Sequence, residues 1–214
     1  MVRSELTLEE TRRMLLHVCE RMIDSQQILT QADQVIGDGD HGIGMVRGFS
    51  AVRQKIESQA FNSVADLVHT VGMALLTSVG GASGAIFGCF FMAAARSLKD
   101  CHSFGAPALS LMLVNGLKEV GARGKAKPGD KTMVDALEPA AERSKHCITG
   151  SISDSLAAVA EAARQGMEAT KQMVASTGKA KALGVRSLGS PDPGAISAWI
   201  ILDSMSQYVS NLRP

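Results

Sequence analysis

Aromatic side chains are scarce in this 214-residue sequence, at 4% of positions with one Trp and one Tyr. Period-2 runs of β-branched residues are missing as well, and Ala, Leu and Met carry the apolar content. That profile predicts an all-α domain. No apolar run approaches the ~20 residues a membrane-spanning helix needs; the most apolar stretch, Ala85 to Ala95, falls far short. Net charge is +1 and the Lys and Arg residues are scattered. No basic stripe suits a nucleic-acid backbone, and neither nucleic acid nor membrane is an expected partner. Cys19, Cys89, Cys101 and Cys147 show no paired spacing, and three of them lie in helical patterns. They read as reduced thiols, not as a disulfide frame or a zinc site. The opening, Met1 to Arg13, is acidic and polar instead of basic then apolar. The expectation is a cytoplasmic protein without a secretory signal. No Pro- or Ser-rich linker divides the chain, so residues 1–214 are expected to form one domain around one core.

The helical patterns follow one another closely. Thr7 and Glu10 form a capping box ahead of a long amphipathic helix with Leu8, Leu15, Val18, Cys19, Met22, Ile23 and Leu29 on its stripe. A second helix from about Gly42 places Met45, Val46, Phe49, Val52 and Ile56 on one face, and a third from Ser63 carries Leu67, Val68, Val71 and Leu75. Gly80-Gly81-Ala82-Ser83-Gly84 then opens a helix that is apolar on nearly every side, which predicts burial. Gly84 and Gly88 would let its neighbours come close. Further helices are expected over Pro107–Val120, after an Asp130 cap with Pro139 kinking or ending it, over Ser153–Ala175, and over Ile196–Val209 behind an Asp192-Pro193 start. That makes about eight helices and two long basic loops, Gly121–Gly129 and Ser176–Asp192.

The chemistry-bearing stretch is Asp33 followed by Gly37-Asp38-Gly39-Asp40-His41-Gly42. Carboxylate oxygens are hard ligands suited to Mg²⁺ or Ca²⁺, and glycines let a short loop aim several of them at one point. An EF-hand is excluded by spacing: from Asp38 the sixth and twelfth positions are Ile43 and Phe49, where glycine and a bidentate Glu are required. Asp33, Asp38 and Asp40 therefore read either as magnesium ligands or as a polar turn with a capping aspartate. The glycine-rich turn at Gly80 and the two basic loops, each next to a helix N-terminus, offer the amides and cations that phosphate needs. The same glycines also serve as a plain helix-breaking turn, and Lys125, Lys127, Lys179 and Lys181 as solvated charges. His41 suits either a phosphate hydrogen bond or a cap on the loop backbone. No Gly-x-x-x-x-Gly-Lys-Ser/Thr stretch and no protein-kinase signature set is present.

Five blocks occur in order: Asp33 with Gly37–Gly42, Gly80–Gly84, Lys127-Pro128-Gly129-Asp130-Lys131-Thr132-Met133, Leu183–Ser187, and Asp192-Pro193-Gly194-Ala195. Together they resemble the nucleotide-binding L subunit of dihydroxyacetone kinase over nearly the whole chain. The resemblance implies a closed antiparallel barrel of eight helices with a nucleotide at one end. It implies two Mg²⁺ on Asp33, Asp38 and Asp40, bridging the phosphates of ATP or of tightly bound ADP. His41, Gly42, Ile43, Gly44, Ala82 and Ser83 would line the phosphate and nucleoside pocket, completed by Gly124, Met133, Lys179, Arg186 and the Asp192-Pro193-Gly194 turn. The phosphoryl acceptor, a ketose, would be held by a histidine of a separate K-type subunit, and an M-type phosphotransferase subunit would re-energise bound ADP in some members. Ile43-Gly44 stands where members often have Thr-Asn, and Lys179 where they often have Arg. These departures leave phosphoryl transfer in place and admit a related ketose, such as a tetrulose, as acceptor. An ADP-holding regulatory module is the alternative from another class.

Overall fold

The first helix begins where the capping box puts it. The Glu10 amide donates to Thr7 Oγ1 at 3.2 Å, and the Thr7 amide donates to Glu10 Oε2 at 2.9 Å. In the computed structural model, which describes residues 3–212, α1 spans Leu8–Asp24 and α2 spans Gln26–Ile36. The single long helix expected here is thus two. Ser25 breaks it: its hydroxyl donates to Arg21 O at 2.7 Å and its amide to Met22 O, so a side chain competes for the carbonyls that would have continued the helix. Leu29 remains buried across the break.

Seven more α-helices follow: α3 His41–Ser58, α4 Val64–Ser78, α5 Gly81–Ser97, α6 Ala106–Gly124, α7 Val134–His146, α8 Ile152–Ala169 and α9 Pro193–Asn211. A two-residue antiparallel pair, β1 (Glu5–Leu6) with β2 (Phe104–Gly105), ties the start of the chain to the start of α6. Each of α3 to α8 packs on its successor, α9 returns to α1, and α1 packs on α3. Eight helices therefore close a ring, and α2 lies outside it against α3 and α9. The expected eight-helix barrel is present, with one helix more than expected attached at its end.

Side chains fill the ring, with Met14, Met45, Phe49, Phe87, Phe91 and Phe104 fully buried. α5 and α4 approach closely because Gly88 has no side chain: a Cβ there would stand 2.8–3.0 Å from Leu76. Pro139 lies inside α7 without ending it. One expected start and one expected cap fall elsewhere. The α8 helix begins at Ile152, one residue before Ser153, behind a Ser151 cap whose Oγ accepts from the Asp154 amide at 3.0 Å. Asp130 does not cap α7; Asp135 serves that turn, accepting from the amides of Gly129 at 2.5 Å and Thr132 at 2.7 Å. The α8 helix stops at Ala169, short of Ala175, where the Thr170 hydroxyl takes Met167 O at 2.6 Å and the chain tightens into a 3₁₀ turn. The second basic loop contains 3₁₀ turns over Lys179–Ser187, kinked at Gly184, where φ is +54°.

Candidate functional site

Alternation of direction around the ring brings the N-termini of α3, α5, α7 and α9 to one end. There they surround a cavity of about 680 Å³, with the first residues of all four helices in its wall. Helix N-termini carry unpaired amides and the positive end of the dipole, so four of them make this end suited to an anion. The amides of Gly42 and Ile43 on α3 and of Gly81, Ala82 and Ser83 on α5 have no hydrogen-bond partner among the described residues. Neither helix has a side-chain cap at its start.

At the rim, one carboxylate oxygen each of Asp33, Asp38 and Asp40 lies within 4.8 Å of the others. Asp33 comes from the last turns of α2 and is half-buried, and its Oδ2 accepts from the His41 amide at 3.1 Å. Asp38 and Asp40 are exposed on the loop between α2 and α3. Magnesium takes oxygens at about 2.0–2.1 Å, so ligands on opposite sides of one ion stand roughly 4 Å apart. The three carboxylates fit that spacing with little movement. Lys179, 141 residues along the chain from Asp38, places its ammonium on Asp38 and 3.7 Å from Asp40. The hydrogen bond from Lys179 holds the Asp38 carboxyl below the usual carboxylate range.

His41 is pinned inward. Its Nδ1 is 3.2 Å from Ser83 Oγ and its Nε2 is 2.8 Å from Ser197 Oγ, joining α3 to α5 and α9. Burial lowers its pKa, against the pull of Asp33 and Asp40. The ring therefore braces the cavity wall by joining three helices, a contact the sequence did not suggest.

Ile43, Gly44, Ala82, Ser83, Gly124, Met133, Asp192, Pro193 and Gly194 all line the cavity with His41, Lys179 and the three carboxylates. Two expected residues do not. Gly42 is buried against α2, where a Cβ would stand 2.5 Å from Gln26 O, so it lets α3 seat on α2. Arg186 is exposed on the 3₁₀ segment, away from the cavity wall. Sequence reasoning missed Arg47 and Arg123, which border the cavity. Arg47 follows Gly44 by three residues and so shares its helix face; that spacing was the available signal.

The sequence model of the DAK2 domain matches residues 35–207. The chain belongs to the DAK2 domain family. It is 39% identical to the PEP-dependent dihydroxyacetone kinase, ADP-binding subunit DhaL, of Escherichia coli K12, over 84% of this chain and 87% of that protein. It is 36% identical to the L-erythrulose kinase of Pectobacterium atrosepticum, over 86% of this chain and 32% of that one. Among solved structures, the dihydroxyacetone kinase of C. freundii in complex with AMP-PNP and Mg²⁺ superposes with a TM-score of 0.76 at 25% identity. That match covers 96% of this chain and 35% of the other. The DAK2 assignment bears out the resemblance carried by the five ordered blocks. As a DAK2 chain it corresponds to nearly all of a stand-alone subunit and to about a third of the longer kinases.

Asp192 in this DAK2 cavity has an unusual ionisation. Burial pushes its carboxyl up to about 7, opposed by the amide of Ala195, which donates to Oδ2 at 2.7 Å. A carboxyl whose folded pKa is raised binds more protons when folded than when unfolded. Its contribution to stability is present at low pH and is lost as pH rises from about 4 through about 7. Asp192→Asn keeps an effective N-cap without the charge. The variant is expected to melt higher than the parent at pH 8 and close to it at pH 4.5, measured by thermal melts across that range. An equal shift at both pH values would contradict the assignment.

Proposed function

We propose that this chain is the nucleotide-binding, phosphoryl-donating subunit of a dihydroxyacetone-type kinase. It would pass phosphate from Mg-bound ATP, or from re-energised ADP, to a ketose held by a separate K-type subunit. The observation that carries this is the convergence of four helix N-termini and three carboxylates on one cavity of about 680 Å³.

Asp33, Asp38 and Asp40 would hold magnesium, and two ions would satisfy the exposed oxygens of Asp38 and Asp40 as well as those of Asp33. When bound, the metal supplies charge neutralisation for the nucleotide phosphates. The free amides of α3 and α5 would orient the phosphate chain, since phosphoryl transfer is mainly positioning and electrostatic stabilisation. Lys179 would trade its carboxylate partners for phosphate oxygens, which keeps a cation beside the transferred group. Met133, Gly124 and the Asp192-Pro193-Gly194 turn offer an apolar and main-chain wall for the nucleoside.

The cavity opens at the rim occupied by Asp38, Asp40 and the exposed Ile43, where an acceptor carried by another subunit can reach the donor. The relatives that are ADP-binding DhaL subunits of PEP-dependent dihydroxyacetone kinases support a chain that retains ADP and is re-energised by an M-type partner. The L-erythrulose kinase among them supports a tetrulose as the alternative acceptor. No described helix is long and apolar enough to cross a membrane.

The test uses the chain stripped of copurified nucleotide. Calorimetry is expected to show ADP binding that requires Mg²⁺, and phosphate transfer to dihydroxyacetone is expected only when a K-type subunit is added. No binding with Mg²⁺ present would sink the reading. Binding without transfer to any ketose would leave the regulatory module.

A further inference from the structure

The end of the barrel that holds the cavity gathers helix C-termini between its N-termini. The α4 helix finishes there, and Val79 lies in the cavity wall. A helix C-terminus presents unpaired carbonyls and the negative end of the dipole, the wrong sign beside an anion site. Arg47, on α3, meets these carbonyls. Its Nε donates to Ser78 O at 2.6 Å, and its Nη2 donates to Val79 O. A guanidinium is a planar fork that can serve two successive carbonyls together, which a lysine ammonium cannot do with the same geometry.

The residues that follow make this contact consequential. Gly80 has φ +79° and Gly81 has φ +59°, both left-handed, and the free amides of α5 begin at Gly81 itself. The turn packs so tightly on the guanidinium that a Cβ at Gly80 would stand 2.8 Å from Arg47 Nη2. Arg47 therefore binds the helix that offers one set of free amides to the turn that aims the other set. It also withdraws two carbonyls from the anion's surroundings.

We propose that Arg47 is a positioning residue for the phosphate end of this site. Its fork fixes the α4–α5 turn so that the amides of α3 and α5 address one polyphosphate together. The inference rests on the nucleotide reading above and adds to it a residue that acts through backbone geometry.

The test is binding of Mg-ADP by calorimetry and of adenosine by ligand-observed NMR, on the parent chain, Arg47→Met, Arg47→Lys and Gly80→Ala. All three variants are expected to lose roughly 10-fold or more in Mg-ADP affinity, a tenfold loss being the effect of misaligning a few charge-assisted hydrogen bonds. Adenosine, which lacks the phosphates, is expected to bind all four chains alike. Arg47→Lys binding Mg-ADP as the parent does would overturn the inference, because charge alone would then suffice. So would an equal loss for adenosine and Mg-ADP, which would mean general disruption. A parent chain that binds no Mg-ADP would instead bring down the nucleotide reading itself, so the two failures are told apart.

Discussion

Replacing Asp38 and Asp40 together by asparagine is expected to weaken magnesium-dependent ADP binding by on the order of 100-fold or more, about 3 kcal/mol. The fold is expected to survive unchanged. The first half follows from charge count: divalent affinity in oxygen sites depends steeply on how many anionic ligands converge, and the pair supplies two of three. The second half follows from position. Both side chains are exposed, and the pair with Lys179 is an exposed one of small net value. Three carboxylate oxygens within 4.8 Å of one another repel in the absence of a cation, so neutralising two removes a strain kept for function. Differential scanning calorimetry separates the two effects. A ligand at about 100 times its Kd stabilises the folded state by about 2.7 kcal/mol. In a chain of this size that raises Tm by roughly 5–10 °C. The parent should show this rise with Mg-ADP and the variant should not, while their unliganded Tm values agree or the variant's is higher. Retained magnesium-dependent binding in the variant would return the loop to a polar turn with a capping aspartate.

The acidic loop was legible in the sequence because its information is local. Three carboxylates within eight positions, spaced by glycine, converge whatever the rest of the chain does. The helices were legible for the same reason: the Thr7–Glu10 box and the Asp192-Pro193 start are signals read over three or four residues, and both stand where expected. What the sequence leaves unread is contacts that the local pattern does not specify. Nothing near Ser25 says that its hydroxyl will take Arg21 O and divide a helix, since a serine at a solvent face does the opposite as readily. His41 sits in the acidic loop by sequence, yet its ring is spent on Ser83 and Ser197, the latter 156 residues away. Arg186 shares a basic loop with Lys179, but Lys179 opens the 3₁₀ segment and Arg186 lies near its far end, so only Lys179 meets the carboxylates. Composition identifies a basic loop, and only the turn geometry decides which of its cations faces inward. For Arg47 the spacing from Gly44 gives the helix face but not the partners, which are main-chain carbonyls without a sequence signature.

The same reasoning assigns the largest stability effect to a lysine that the sequence places only within the third of the five blocks. Lys131 is 2% exposed and holds a left-handed backbone at φ +60°. Its ammonium donates to Thr170 O and to Ser190 O, each at 2.6 Å. Those carbonyls bracket the second basic loop, which follows the end of α8 and precedes Asp192. Asp130 grips the same loop from its other side, with Oδ1 accepting from Ser176 Oγ at 2.6 Å and its carbonyl accepting from the Ser176 amide. Thr170 in turn accepts from the Asp192 amide at 3.0 Å, so the clamp reaches the start of α9. Lys131→Met keeps the length of the side chain and removes the donors. Each buried carbonyl left without a partner costs about 1–3 kcal/mol, partly offset because an ammonium no longer has to be buried. A net loss of about 2–4 kcal/mol is expected, which lowers Tm by roughly 5–15 °C. Thermal melts measure it, and limited proteolysis locates it, with cleavage rising within residues 173–191 ahead of the ring helices. Lys179→Met is the contrast, an exposed lysine on the same loop whose loss is expected to shift Tm by less than about 2 °C while weakening Mg-ADP binding. If Lys131→Met melted with the parent and its loop stayed protected, the two carbonyl contacts would be incidental, and the loop would be held by Asp130, the Lys179 pair and the Gly189 amide on Lys171 O. A drop in Tm with cleavage confined to the loop instead places the cavity wall under the control of one buried cation. The same end of the barrel would then use Arg47 and Lys131 alike, each spending its charge on carbonyls so that the helix N-termini are left to the anion.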